Sequence, residues 1–372
     1  MKILYIEPYY GDSHRQWIES YQRHSNNDIS ILKLPGNKWK WRMHGGAITL
    51  AQNFRDMNES FDLILCSDFL NLPVFKALAQ DSIGNTPVAM YFHENQITYP
   101  WPEHDPDRQM GRDLHYHYIN QTSALCSDWC YFNSAYNRDS FIDGVEKYLK
   151  KMPDHQNLFT LDTIKEKSSV LHLGCDLTKF NKYKDVEKYS APNILWNHRW
   201  EYDKNPESFF KILYKLKDRQ VNFNLIVLGE SFSKYPEVFD EAKEKLKNNI
   251  VQFGYCDSFE EYAKWLWISD IMPVTSNQDF FGVSIVEGAY CNVYPILPNR
   301  LAYPEIFDIS RNPEIFYDNE KDLMNKLNEA IIRTERLKNF SDIAREHDFN
   351  SVAKKYDNEF NLLVKSAKAN KD

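Results

Sequence analysis

Residues 270–289 read Asp270-Ile-Met-Pro-Val-Thr-Ser-Asn-Gln-Asp-Phe-Phe-Gly-Val-Ser-Ile-Val-Glu-Gly-Ala289. The apolar run 271–274 predicts a short buried strand, followed by a polar loop. A turn at Gly282 then opens a helix near Val283. A helix that starts just after a strand presents backbone N–H groups and the positive end of its dipole, which suits a phosphate. Here those N–H groups belong to Gly282, Val283 and Ser284. Asp279 lies on the loop and Glu287 in the first turns of the helix, with seven residues between them. Carboxylates accept hydrogen bonds from sugar hydroxyls. A ligand that is half phosphate and half hydroxyl-rich, such as a nucleotide-sugar, fits this arrangement. The plainer alternative is a helix that starts after a glycine turn and carries a surface Glu.

Outward from this stretch, strands and helices alternate. In the second half, strands are predicted at 193–197, 223–228, 250–253, 271–274 and 294–297. Helices are expected at 206–219, 235–247 and 258–268. In the first half, strands are predicted at 2–7, 28–35, 61–66, 87–92, 130–134 and 170–176. Ser13 is a plausible N-cap for the helix after the first strand. Residues 319–368 read as helical. Such alternation predicts an α/β protein with two Rossmann-like, doubly wound parallel sheets. The expected domains are 1–180 and 191–335, joined by a charged linker at 182–190. Helices at 336–372 are expected to pack back towards the N-terminal domain.

Ligands of such sheets bind beyond the carboxyl ends of the strands. Arg199 and Lys204 stand at the tip of the first strand of the second half, and Gly229 at the tip of the next. Arg offers a planar fork and Lys a point charge for a diphosphate. Two cations and a helix N-terminus offset a diphosphate without a metal. Asp105-Pro-Asp107 has the spelling of a metal clamp but lies in a Pro/His-rich loop, so no metal site and no cofactor are expected. In the first half, Gly11 and His14 follow the first strand, and His93, Glu94 and Asn95 follow the fourth; these are candidate acceptor residues. For Gly11 and His14 a plain turn with a surface His is the alternative. Lys38, Trp39, Lys40, Trp41 and Arg42 alternate basic and indole groups, which bind phosphates and stack on unpaired bases. The alternative for that run is an edge helix with its Trp pair packed inward.

Composition bounds the rest. At 372 residues there is room for two domains, and 42% hydrophobic with 26% charged residues is ordinary for a soluble globular chain. The net charge of −8 leaves no global field to attract nucleic acid, so RNA binding needs a local patch. Six scattered Cys predict reduced thiols in a cytoplasmic protein. The opening residues read as a strand rather than a signal peptide, and no run approaches the ~20 apolar residues of a membrane span.

The stretch from Asp279 to Glu287 resembles the acid-x-Phe-Gly-x(4)-Glu signature of retaining GT-B glycosyltransferases, with Asp where Glu is usual. Arg199 and Lys204 are similar to the pair that holds the leaving diphosphate there. A narrower resemblance rests on Glu7-Pro-Tyr-Tyr-Gly-Asp-Ser-His14, Leu34-Pro-Gly-Asn-Lys-Trp-Lys-Trp-Arg42, Phe92-His-Glu-Asn-Gln96, Asn133-Ser-Ala-Tyr136, Asn197-His-Arg-Trp-Glu201 and Tyr303-Pro-Glu-Ile-Phe307. These look like the tRNA-queuosine mannosyltransferase family. The resemblance implies two GT-B domains facing a cleft. It also implies transfer of mannose from GDP-mannose to the cyclopentenediol of queuosine in a tRNA anticodon loop, with retention. It assigns His93, Arg199, Lys204, Asp279 and Glu287 to catalysis, and donor contacts to Phe281, Gly229 and the Gly282 turn. Two alternatives stay open. One is a hexosyltransferase with a lipid, glycan or small-molecule acceptor. The other is a non-catalytic nucleotide-sugar or RNA-binding module. Oligomeric state cannot be read from the residues.

Overall fold

The computed structural model describes residues 1–101, 105–231 and 234–369. The chain forms two compact units: residues 1–174 together with 349–372, and residues 175–348. The divisions thus fall at 174/175 and 348/349, where the sequence reading put them near 180 and 335.

The first unit holds a six-stranded parallel sheet. Its strands are β1 (Lys2–Tyr10), β2 (Asp28–Pro35), β3 (Leu63–Ser67), β4 (Val88–Phe92), β5 (Trp129–Phe132) and β6 (Ser168–Val170). They lie in the order β2-β1-β3-β4-β5-β6. The central strands β3 and β4 are buried at every position. Such strands read as continuous apolar runs because helices cover both faces. Leu4, Ile6, Ile64, Met90 and Phe132 meet Leu50, Phe75 and Phe141 from the helices in one core. The last helix, Phe349–Ala369, belongs to this unit and buries Val352, Tyr356 and Phe360. The first helix, Asp12–His24, is capped by Gly11 with no side-chain bond, not by Ser13. β6 ends at Val170, so the run 171–176 is mostly extended loop rather than strand.

The second unit has its own six-stranded sheet and its own core. The strands are β7 (Asn193–Asn197), β8 (Asn224–Leu228), β9 (Ile250–Phe253), β10 (Ile271–Pro273), β11 (Tyr294–Pro298) and β12 (Phe316–Tyr317), in the order β12-β11-β10-β7-β8-β9. β10 pairs with β7 only at Ile271. Pro273 has no N–H to donate to a neighbour. The chain therefore leaves the sheet early and enters the polar loop that precedes Gly282.

In both sheets the strand order reverses beside the first strand of the unit, between β1 and β3 and between β7 and β10. Loops diverge at such a switch point and leave a crevice at the carboxyl edge. Among the described residues no helix is long and apolar enough to cross a membrane.

Candidate active site

In the second unit the switch point gathers the segment after β7 and the loop after β10. The loop is laced to the backbone carbonyls of that segment. Asn277 N–H donates to Asp203 O at 2.7 Å. The Thr275 hydroxyl donates to Lys204 O and Asn205 O, both at 3.0 Å. Arg300 supports the other side, donating to Ser276 O at 2.9 Å and to Thr275 O at 3.2 Å. Lys204 is nearly buried, and its Nζ donates to Gln278 O at 2.7 Å. The same Nζ lies 3.2 Å from Asp203 Oδ2 and 3.8 Å from Asp279 Oδ2. Lys204 and the loop of Asp279 are therefore brought together.

Asp279 is oriented by Tyr303, whose hydroxyl donates to Oδ2 at 3.1 Å. Gly282 takes φ +92° at the start of helix Val283–Tyr290, and no side chain caps that helix. A Cβ at Gly282 would sit 3.0 Å from the Tyr303 ring, so backbone conformation and space both favour glycine. Ser284 Oγ lies 3.4 Å from His198 Nδ1. Glu287 accepts from the Tyr262 hydroxyl on Oε2 at 2.6 Å. Tyr262 in turn receives the Asn197 amide at 3.0 Å. Burial raises the Glu287 pKa, against the pull of Lys179 and the Tyr262 hydrogen bond.

Arg199 is half-exposed, with Nη2 3.2 Å from Glu201 Oε2. Its backbone is fixed where β7 ends, since Trp200 N–H donates to Glu230 O at 3.0 Å. Gly229 lies against this turn: a Cβ there would be 1.9 Å from His198 O. Gly229 is thus required by the close packing of two backbones. Phe281 is buried, with its ring 5.1 Å from His347. Asp203 and His198 were not singled out from the sequence. Both are buried beside Lys204, and their only signal was proximity to the Arg and Lys already chosen. Burial, then Lys204, depress the His198 pKa to about 3, so its imidazole is neutral.

In the first unit the switch point carries a second polar cluster. Glu7, in the carboxyl-terminal half of β1, is fully buried. It accepts four hydrogen bonds or close polar contacts: Tyr5 hydroxyl at 2.9 Å, Ser67 hydroxyl at 2.8 Å, Tyr9 N–H at 2.9 Å and His14 Nδ1 at 2.9 Å. Burial pulls the His14 pKa down, but Glu7 overrides it and raises it to about 9. The His14 and His93 rings lie 4.2 Å apart. Burial, then this cation, push the His93 pKa well below its usual value. His93 N–H donates to Asp68 Oδ1 at 2.9 Å, and burial raises the Asp68 pKa strongly. A charged imidazole therefore stands against a neutral one. His14 is buried here, not a surface group on a plain turn.

The other acceptor candidates divide. Glu94 is partly buried and accepts from Gln96 Nε2 at 2.6 Å. Asn95 is fully buried, and its amide is taken up by Asn137 at 2.8 Å and Thr98 N–H at 2.9 Å. Asn95 shapes the loop and has no face left for an acceptor. Gly11 is a packing glycine: a Cβ there would meet Gly36 Cα at 3.3 Å.

The run from Lys38 to Arg42 does not form one patch. Trp39–Met57 is a helix, and residues in alternation on a helix point in different directions. Trp39 turns inward to Tyr116 (5.2 Å) and Trp101 (5.9 Å). Lys40 is bound by Asp105 at 2.8 Å and Asp107 at 2.7 Å. That pairing is the physical use of the Asp105-Pro-Asp107 triplet. Trp41 is 64% exposed, Lys38 is exposed, and Arg42 Nη2 donates to Asn37 Oδ1 at 3.0 Å.

The family model described as tRNA-queuosine alpha-mannosyltransferase N-terminal matches residues 2–175, and that for glycosyl transferases group 1 matches residues 179–347. The chain is 36% identical over 314 residues to the tRNA-queuosine alpha-mannosyltransferase of Drosophila melanogaster, covering 82% of this chain and 81% of the relative. Among solved structures, sucrose-phosphate synthase from Thermosynechococcus elongatus is 11% identical with a TM-score of 0.72, over 98% of this chain and 100% of that one. A glycosyltransferase from Rickettsia africae ESF-5 is 17% identical with a TM-score of 0.65, over 98% of both chains. At those identities the likeness shows the α/β GT-B fold. Taken with its curated relative and both family models, the chain belongs to the tRNA-queuosine alpha-mannosyltransferase family and is a glycosyltransferase.

Proposed function

We propose that the protein transfers mannose from GDP-mannose to a hydroxyl of the queuosine cyclopentenediol in tRNA, with retention and without a metal. Family membership supports the acceptor class. The observation that carries the donor reading is Lys204 Nζ on Gln278 O at 2.7 Å, which seats a cation on the same loop as Asp279. In this reading Arg199 and Lys204 take up the charge that the leaving diphosphate acquires. Backbone N–H groups of Gly282, Val283 and Ser284 assist, and charge stabilisation of this kind is the largest single contribution to many transfers. Glu287, steadied by Tyr262, accepts from the ribose, and Asp279 from the sugar. His93, neutral, orients the sugar. Lys38, Trp41 and Arg42 contact the anticodon loop. In this reading the reaction runs in the cytoplasm.

The test is mass spectrometry of tRNA nucleosides after incubation with GDP-mannose. One added hexose on queuosine, and none with UDP-sugars, is expected. Folded enzyme and intact queuosine tRNA without that gain would refute the reading.

A further inference from the structure

Five buried polar atoms without a hydrogen-bond partner crowd the second unit's switch point: Asp203 Oδ1 and Oδ2, His198 Nε2, Ser276 Oγ and Gln278 Nε2. Buried polar groups are normally paired, so such a cluster calls for a reason. Asp203 is the sharpest case. Its side chain is 1% exposed, neither oxygen makes a hydrogen bond, and the Lys204 ammonium lies 3.2 Å from Oδ2.

An unpaired carboxylate is costly to bury, and an adjacent cation offsets that cost. Neighbours in sequence seldom face one another. Here the turn at Tyr202–Lys204 and the left-handed Asn205 (φ +54°) curl the two side chains together. The backbone of both residues is tied to the loop of Asp279 through Asn277 N–H and the Thr275 hydroxyl. An ammonium has three N–H bonds. One goes to Gln278 O at 2.7 Å and one faces Asp203. At 3.8 Å, Asp279 is too far to engage the third as a hydrogen bond.

We propose that Asp203 is a positioning residue: Gln278 O takes one N–H of Lys204 and the Asp203 charge holds the ammonium beside it, so that a remaining N–H is presented to an anionic oxygen of the donor. Asp203 does not touch the donor itself. Its negative charge also holds the nearly buried Lys204 in place before any anion arrives. This rests on the reading of Lys204 as a diphosphate-binding group.

The experiment is a double-mutant cycle on GDP binding, measured by calorimetry on the full chain with Asp203→Ala, Lys204→Ala and the double variant. Coupled residues give non-additive effects, and independent ones add. Each single variant is expected to weaken GDP binding about tenfold or more, and the double variant no further than Lys204→Ala alone. Asp203→Glu is expected to restore part of the affinity. If Asp203→Ala does not fold, Asp203→Asn, of nearly the same volume, serves in the same cycle. Additive losses, or an Asp203 variant with unaltered GDP affinity, overturn the positioning role while leaving the donor reading intact. Lys204→Ala with unchanged GDP binding overturns the donor reading, and the inference falls with it.

Discussion

Glu7 shows how one residue can set the charge of a site it need not touch. It is an acid in the second half of a largely apolar strand, fully buried, and satisfied by three donors besides His14. With His14 held as a cation, His93 at 4.2 Å stays neutral. The folded pKa of His14, about 9, lies above its ordinary 6.5. Its stabilising contribution is therefore complete below pH 6.5 and is lost as pH rises through about 9. For His93 and His198 the folded values are depressed, so their contributions are complete above pH 6.5 and are lost as pH falls below it. The melting midpoint is therefore expected to be highest near pH 6.5 and to fall on either side of it. Removing one partner of a buried pair costs roughly 3–5 kcal/mol. Glu7→Gln should cost that much near pH 7 and should flatten the alkaline fall, because His14 then loses the partner that kept it charged. Thermal melts at a series of pH values check this. A variant whose alkaline limb matched the parent's would refute it. Little of the cluster was legible beforehand. His14 and His93 drew attention as polar groups at strand ends, but their pairing with Glu7 and Asp68 depends on which strands become neighbours.

At the scale of elements, the helix Trp39–Met57 separates two indoles that look equivalent in the sequence. Trp39 packs among Phe69, Trp101 and Tyr116, with Met43 buried beside them. Trp41 lies across Gly45, where a Cβ would stand 2.7 Å from its ring, and is otherwise open to solvent. Trp39 packs inward as an edge helix requires and Trp41 does not, because a helical turn of about 100° per residue sends alternating residues to different faces. Trp39→Ala should lower stability by about 3 kcal/mol, the loss typical of a packed aromatic. Trp41→Ala should change stability by less than about 0.5 kcal/mol. It should instead weaken binding of queuosine tRNA by about 1–3 kcal/mol, the value of one stacked base. Melting curves and filter binding at fixed salt separate the two. Equal tRNA affinity in the Trp41 variant and the parent would remove this helix from the acceptor surface. The strand–loop–helix at residues 271–290 was the most legible element, since apolar run, polar loop and Gly282 each have a local cause. The lacing of its loop to Asp203–Asn205 was not legible, because those bonds reach backbone carbonyls some 70 residues away.

Across the whole molecule, alternating strands and helices were enough to read two α/β sheets, because fully buried parallel strands leave an unbroken apolar signature. Where the chain passes from one unit to the other was less visible, since the first crossing lies inside an apolar run that reads as a strand and the second inside a stretch that reads as helical throughout. The helix Phe349–Ala369 completes the first unit through one carboxylate. Asp357 is buried and accepts from the Tyr21 hydroxyl at 2.7 Å, the Ser25 hydroxyl at 2.5 Å, Asn26 N–H at 2.9 Å and the Asn27 amide at 2.9 Å. Tyr356 adds a bond from its hydroxyl to His172 O at 2.6 Å and receives Gly174 N–H at 2.8 Å. Four donors lose their acceptor together in Asp357→Ala, and each buried donor left unpaired costs about 1–3 kcal/mol unless water reaches it. Water can reach some of them, so a total loss of roughly 3 kcal/mol is expected. In a unit of about this size that lowers the midpoint by roughly 6–12 °C. The second unit has a core of its own and carries the proposed nucleotide site. GDP should therefore mark its transition by raising it, since a ligand stabilises what it binds. Scanning calorimetry of Asp357→Ala with and without GDP should show the GDP-sensitive transition at its parental midpoint and the other transition lowered. A fall of the GDP-sensitive transition by the same amount would mean that the C-terminal helix does not act on the first unit alone.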